Sequence, residues 1–402
     1  MTQIWWFAFF ILVSMVEYFV FYRTCGYSNA LAGIMFWLWV FGVYNLILAV
    51  MFSHKKSQLV NARLVGVALC IAFIAGELVL RYATTKYMTY LEQNGSKHYA
   101  SLYHLSDTSE ADFYHILSPL TTYVDRKKEF SFSYPVNGIG LCERDLNASD
   151  TQYYRIACMG DSYTQGIGAP QDSSWPRQLE NILNRYTAKP VQTINCGIGG
   201  SDLVHQYMLF KDRVVAYKPK AVVLCVNRSD IDDIVTRGGM ERYISDSVIY
   251  TPGPLWWEPF FAQSFIIRAI AINMFKVNFF LLSPKAYEQQ KNIALDKIKT
   301  ALKQWYGFTQ QQHINFYLAL QPTPYDYYTP DDYPRLEKAV YESLPANRVI
   351  NIKPQWGATI NLQNLNQWYW PNDCHLKTNG YKYLAQTIAK TLIQDSSLVN
   401  IP

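Results

Sequence analysis

Apolar positions follow two different rhythms along this chain. Near the N-terminus they run almost unbroken. Residues 4–22, IWWFAFFILVSMVEYFVFY, hold one charge, Glu17; residues 29–52 hold none; residues 64–80, LVGVALCIAFIAGELVL, are apolar apart from Glu77. A helix needs about 20 such residues to cross the hydrocarbon of a bilayer, so the pattern predicts three transmembrane helices within residues 1–82. From about residue 150 short β-rich runs alternate with helix-like stretches. The runs are YYRIACM, VQTIN, AVVLCVN, INFYLAL and RVINI, and the helical stretches fall near 175–187, 202–217, 287–306, 333–343 and 379–394. That alternation predicts an α/β domain over 151–402, with a mostly parallel five-stranded sheet between two layers of helices. Residues 83–150 read as a stalk and lead-in, with FSFSYPVNGIGLCERD (130–145) as a strand and turn.

One stretch fits neither rhythm. Residues 255–283 contain a fourth apolar run, but Arg268, Asn273, Lys276 and Asn278 lie on several sides of a helical wheel, so lipid would meet polar groups on any face. The expectation is an apolar cap inserted in the catalytic domain, packed over the site or lying against the bilayer surface.

Charge sets the expected topology. Lys55, Lys56 and Arg63 lie between the second and third apolar runs, against Arg23 alone in the first connector. The positive-inside tendency then puts the N-terminus in the cytoplasm and everything beyond residue 82 in the periplasm or outside the cell, as for a multi-pass protein of a bacterial inner membrane. Glu17 and Glu77 pair with polar groups inside the bundle, mark a pathway, or simply reach the headgroups near a membrane face. A net charge of +5 without a basic cluster argues against nucleic acid as a partner. The seven cysteines show no metal-ligand spacing, so no metal or other cofactor is expected; a Cys142–Cys374 bridge is open in an oxidising compartment.

In an open parallel sheet the ligand site lies beyond the C-terminal ends of the strands. The polar clusters fall there: GDSYTQG after the first run, NCGIGGSD after the second, VNRSD after the third, and WPNDCHLKTNG before the last helix. A serine at the start of a helix, after a glycine turn, is poised to act as a nucleophile if a base stands beside it. Asp373 and His375 share one loop, so a carboxylate can sit at one imidazole nitrogen while the other faces Ser162. The candidate oxyanion donors are the backbone amides of Ser162 and Gly200 and a side chain after the third strand. Asp161, Tyr369 and Trp370 are candidate substrate-contacting residues, the aromatic pair by stacking on a sugar ring; core packing is the alternative for the aromatics. His205 reads as structural, and Asp230, Asp232 and Asp233 as a solvated loop and helix start.

These blocks, in this order over residues 130–395, resemble the SGNH or GDSL hydrolase superfamily, in a membrane-anchored bacterial form. The resemblance implies Ser162 as nucleophile, His375 as general base, Asp373 as its acid partner, and Gly200 as an oxyanion donor. Two departures stand out. Ser229 occupies the place where the family's third block has asparagine, with Asn227 able to substitute only through a shifted loop. Many members carry the acid three residues before the histidine, where this chain has Asn372; here the carboxylate is one residue nearer. The implied activity is cleavage of carboxylic esters, acetyl or other acyl, on an extracytoplasmic glycan or lipid. The alternatives are transfer of the acyl group to a cell-envelope polysaccharide with a membrane acyl-donor partner, or glycan binding without catalysis.

Overall fold

The computed structural model describes residues 12, 30–52, 55–84, 86–87, 116–245, 248–249, 258–278 and 282–395. The expected first span, 4–22, with Glu17, lies outside the described residues, as do residues 88–115 of the stalk. Contacts divide the chain into two compact units: residues 1–106 with 252–289, and residues 107–251 with 290–402.

In the first unit, helices α1 (Ala30–Met51) and α2 (Lys56–Ala83) pack along one another. Both are long and apolar enough to cross a membrane. Trp37 stacks on Phe73 with ring centroids 4.3 Å apart. The outer side of α2 leaves Leu64, Val65, Ile71 and Val79 exposed, a continuous apolar strip. Glu77, fully buried, is the polar centre of the unit. It accepts hydrogen bonds from Trp37 Nε1 (3.3 Å), Ser264 Oγ (2.9 Å), the amides of Phe265 (2.7 Å) and Ile266 (3.3 Å), and Arg81 Nη2 (3.4 Å). Two of these donors are first-turn N–H groups of the helix Phe265–Asn273, which have no acceptor within the helix itself. A carboxylate at that end satisfies them and complements the helix dipole. Of the three readings of Glu77, pairing is the one observed.

Contacts group the 255–283 segment with the N-terminal helices rather than with the α/β unit to which the expected cap was assigned. Its described part includes two short helices, Glu258–Gln263 and Phe265–Asn273. The physical reason is internal hydrogen bonding. Arg268 is fully buried, its Nε donating to Phe261 O at 2.8 Å and Nη1 to Tyr87 O at 3.0 Å, so polar groups of the protein rather than lipid surround the guanidinium.

The second unit opens with an antiparallel hairpin, β1 (Thr122–Arg126) and β2 (Ser131–Pro135). Sequence pattern located only its second strand; β1, TYVDR, is short and mostly polar, and had been absorbed into the stalk. The main sheet follows: β3 (Tyr154–Gly160), β4 (Val191–Gly197), β5 (Ala221–Val226) and, after a small ribbon of β6 (Tyr243–Ser245) and β7 (Val248–Ile249), β8 (Asn315–Leu320) and β9 (Val349–Asn351). The five strands lie in the order β4-β3-β5-β8-β9 and every pair is parallel.

Both faces of the sheet are covered, which is why β3 and β5 are buried at every position. Ala157 and Met159 face one core with Phe210, Trp305 and Leu336; Ile156 and Cys158 face the other with Trp175, Leu179, Leu384 and Ile388. Burying each large aliphatic side chain contributes about 1.5–3 kcal/mol. The helices that supply these faces are α3 (Ser162–Gln165), α4 (Trp175–Leu183), α5 (Leu203–Leu209), α6 (Ser229–Arg237), α7 (Pro284–Gln311), α8 (Asp332–Tyr341) and α9 (Thr378–Gln394). Strand order reverses at β3, whose sequence neighbour β4 lies on one side and β5 on the other. Such a switch point opens a crevice at the C-terminal strand ends, and the GDS turn stands there.

Candidate active site

β3 ends at Gly160, which takes φ +152°, and a Cβ there would strike the side chain of Thr164. Only glycine lets the strand turn this tightly into α3. Asp161 caps that helix, its carboxylate accepting from the Tyr163 amide at 2.9 Å. Ser162 is therefore the first helical residue, half-buried, with its own N–H in the first turn where no intrahelical acceptor exists.

The second loop comes from the far end of the chain. Tyr369 and Leu376 form an isolated bridge, the Trp370 amide donates to His375 O at 2.8 Å, and the Cys374 amide donates to Trp370 O at 3.0 Å. Cys374 takes φ +71°, a left-handed conformation unusual for a residue with a Cβ, and this folds Asp373 back toward His375. His375 Nε2 lies 2.8 Å from Ser162 Oγ, and His375 Nδ1 is hydrogen-bonded to Asp373 Oδ1. Tyr163 braces the arrangement, its hydroxyl donating to Cys374 O at 2.9 Å and its ring 5.0 Å from the imidazole. Burial disfavours the Asp373 charge, but the hydrogen bond from His375, with the charges of His375 and Lys127, outweighs it and holds the carboxyl below its usual range.

The sequence model of the GDSL-like Lipase/Acylhydrolase family matches residues 158–383. The chain belongs to that family. It is thus a hydrolase of GDSL type, and the matched region runs from the end of β3 through the histidine loop into α9. Solved structures similar to it include the lipase Lip_vut3 from a goat rumen metagenome, 10% identical, covering 59% of this chain and 96% of that one with a TM-score of 0.38. A lipase/acylhydrolase from Enterococcus faecalis is 13% identical over 60% of this chain and 95% of that one, with a TM-score of 0.35. The acetylxylan esterase Axe2 from Geobacillus stearothermophilus is 14% identical over 60% and 94%, with a TM-score of 0.36. No curated protein matches the chain.

Around this GDSL centre the remaining sequence-predicted residues separate. Gly200 follows β4 with φ +73°, and a Cβ there would meet nothing within 4 Å, so its backbone faces open space. Ser229 opens α6, half-buried, with its hydroxyl 3.5 Å from Asp161 Oδ2. Asn227 is committed at both ends: Nδ2 donates to Asp161 Oδ2 at 2.8 Å and Oδ1 accepts from the Ser229 amide at 2.9 Å. It ties the end of β5 to the serine loop.

Three expectations need correction. Asp161 is not placed to meet substrate: it is buried and engaged by Tyr163, Asn227 and Ser229. Burial pushes its carboxyl above the usual range, against those hydrogen bonds. Tyr369 is only 1% exposed, with its hydroxyl donating to Pro322 O at 2.8 Å, so its ring is core. Asp230 is no solvated loop residue; it is buried and accepts from the amides of Leu203 (2.9 Å) and Asn227 (3.0 Å). Trp370 stays half-buried, Nε1 donating to Gly168 O at 2.8 Å, which links the two site loops. The two cysteines weighed as a bridge are free, Cys142 Sγ accepting from Gln165 Nε2 at 3.3 Å.

Sequence reasoning also missed groups beside the site. Gln165 holds the Gly199 amide at 2.7 Å and so shapes the turn before Gly200. Asp125 and Lys127, from β1 and the hairpin turn, pair at 3.7 Å, and both contribute charge at Asp373. The lone usable signal was the hairpin itself, a turn of charged residues between two short strands.

Proposed function

We propose that the protein is a membrane-anchored serine esterase that cleaves acyl esters, acetyl among them, from an extracytoplasmic glycan or lipid. The observation that carries this reading is the 2.8 Å approach of His375 Nε2 to Ser162 Oγ with Asp373 on the other ring nitrogen. His375 takes the serine proton as Oγ bonds to the acyl carbon, and returns it to the alkoxide as the ester C–O bond breaks. A water molecule then repeats the sequence on the acyl-enzyme. Asp373 holds the imidazole tautomer and stabilises the imidazolium. The amides of Ser162 and Gly200 receive the oxyanion, with the Ser229 hydroxyl as third donor once it turns from Asp161.

The anchor in this proposal is the expected span 4–22 together with α1 and α2. The apolar strip on α2 and the two lysines at its start, Lys55 and Lys56, support it, with the α/β unit on the extracytoplasmic side.

The test uses the full-length protein in detergent. Ser162→Ala lowers p-nitrophenyl acetate hydrolysis at least about 1,000-fold and abolishes fluorophosphonate labelling. An unchanged rate, or a label that persists elsewhere, sinks the reading. With an acetylated oligosaccharide, free acetate marks hydrolysis; acetyl on a second sugar's hydroxyl marks transfer from the same acyl-enzyme instead.

A further inference from the structure

The acid partner of His375 stands two residues before it, and its loop reaches that geometry through a left-handed Cys374. A non-glycine residue in that conformation is strained, so the loop needs an outside restraint. The restraint comes from the β1–β2 hairpin, which lies wholly before the family's matched region of 158–383. At the hairpin turn, Glu129 Oε2 accepts from the Asn372 backbone amide at 2.9 Å and Oε1 accepts from Asn372 Nδ2 at 3.1 Å. Both donors of one residue are held by one carboxylate. The adjacent Phe130 ring packs on Trp370 at 5.3 Å and fixes the other end of the loop. Asn372 is the residue three before the histidine; with Glu129 on it, the neighbouring Asp373 is the side chain left to turn inward.

We propose that Glu129 is a positioning residue: by clamping Asn372 it keeps the 371–375 loop in the one conformation that brings Asp373 onto the His375 imidazole. The inference rests on the esterase reading of Ser162, His375 and Asp373. It makes the hairpin part of this enzyme's machinery, although Glu129 touches neither substrate nor reacting atoms. Hydrogen bonds to a carboxylate are the stronger kind, and a displacement of about 1 Å in catalytic geometry costs up to about a hundredfold in rate.

The experiment measures kcat, KM and melting temperature of the full-length protein in detergent with p-nitrophenyl acetate. Glu129→Ala lowers kcat about tenfold with KM within about twofold, because geometry rather than binding is lost. Glu129→Gln, whose amide oxygen still accepts from the Asn372 N–H while the Asn372 amide turns over to meet its nitrogen, recovers most of the rate. Cys374→Gly in the Glu129→Ala background recovers part of the rate, since glycine adopts the left-handed turn without the strain that the clamp opposes. The proposal is overturned if Glu129→Ala keeps wild-type kcat, if the loss appears in KM, or if it follows a fall in melting temperature that Gln does not restore. Failure of the esterase reading looks different: Ser162→Ala then retains activity, whatever Glu129 does.

Discussion

The serine loop and the histidine loop meet at one imidazole but are built in opposite ways. The serine loop is local. Gly160 makes the turn, Asp161 caps the helix that follows it, and Ser162 is the next residue. The histidine loop is held by partners far away in sequence: Glu129 reaches it across 243 residues, Tyr163 across 211, and the Trp370 indole reaches back to Gly168 across 202. A locally built turn carries its instructions in a few adjacent residues and reads as a motif. A turn braced from elsewhere shows only its chemistry, and its geometry stays hidden until the partners are in place.

The comparison can be broken most severely at the acid. Asp373→Asn should lower kcat by about 10³–10⁴-fold with little change in melting temperature, because the wrong imidazole tautomer then faces Ser162. A loss below about tenfold would mean that another carboxylate, with buried Asp125 the nearest candidate by its charge coupling to Asp373, does the acid's work. On the serine side the matching disruption is one of stability. Gly160→Ala forces a Cβ into Thr164 at a left-handed φ and should cost about 2–4 kcal/mol, read as a lower melting temperature with activity lost in proportion to unfolded protein. Smallest, and most discriminating, is Asn372→Asp. It places a carboxylate at the spacing more common in the family, yet it sets two negative charges against each other at Glu129. The expected outcome is a decrease in kcat of about threefold to tenfold; an increase would show that the loop is free to use either position.

The legible part of the fold was the part carried by period and punctuation. The five strands of the main sheet announced themselves as short β-rich runs, and the polar clusters at their ends located Ser162, Gly200 and His375 on one edge. Strand β1 was not legible because a five-residue run with alternating exposure lacks the apolar weight of a central strand. Tyr369 misled for a related reason: aromatic residues flanking a catalytic loop look alike in sequence whether they face a sugar or, as here, hydrogen-bond a carbonyl in the core. Asp161 and Asp230 look solvent-bound as letters, and only the amides that surround them explain their burial. The short helices of 258–273 resisted assignment because their decisive partner, Glu77, is 187 residues upstream of Ser264.

On the proposed membrane anchor, that last pairing has a practical outcome for anyone seeking a water-soluble form of this enzyme. The chain passes between its two units three times, at 106/107, 251/252 and 289/290. Cutting away only the N-terminal helices would strand the 252–289 excursion without the carboxylate that seals its helix end, leaving Phe261, Phe265 and a buried arginine to face water. A tractable soluble enzyme therefore calls for two deletions, with a short bridge closing the second gap.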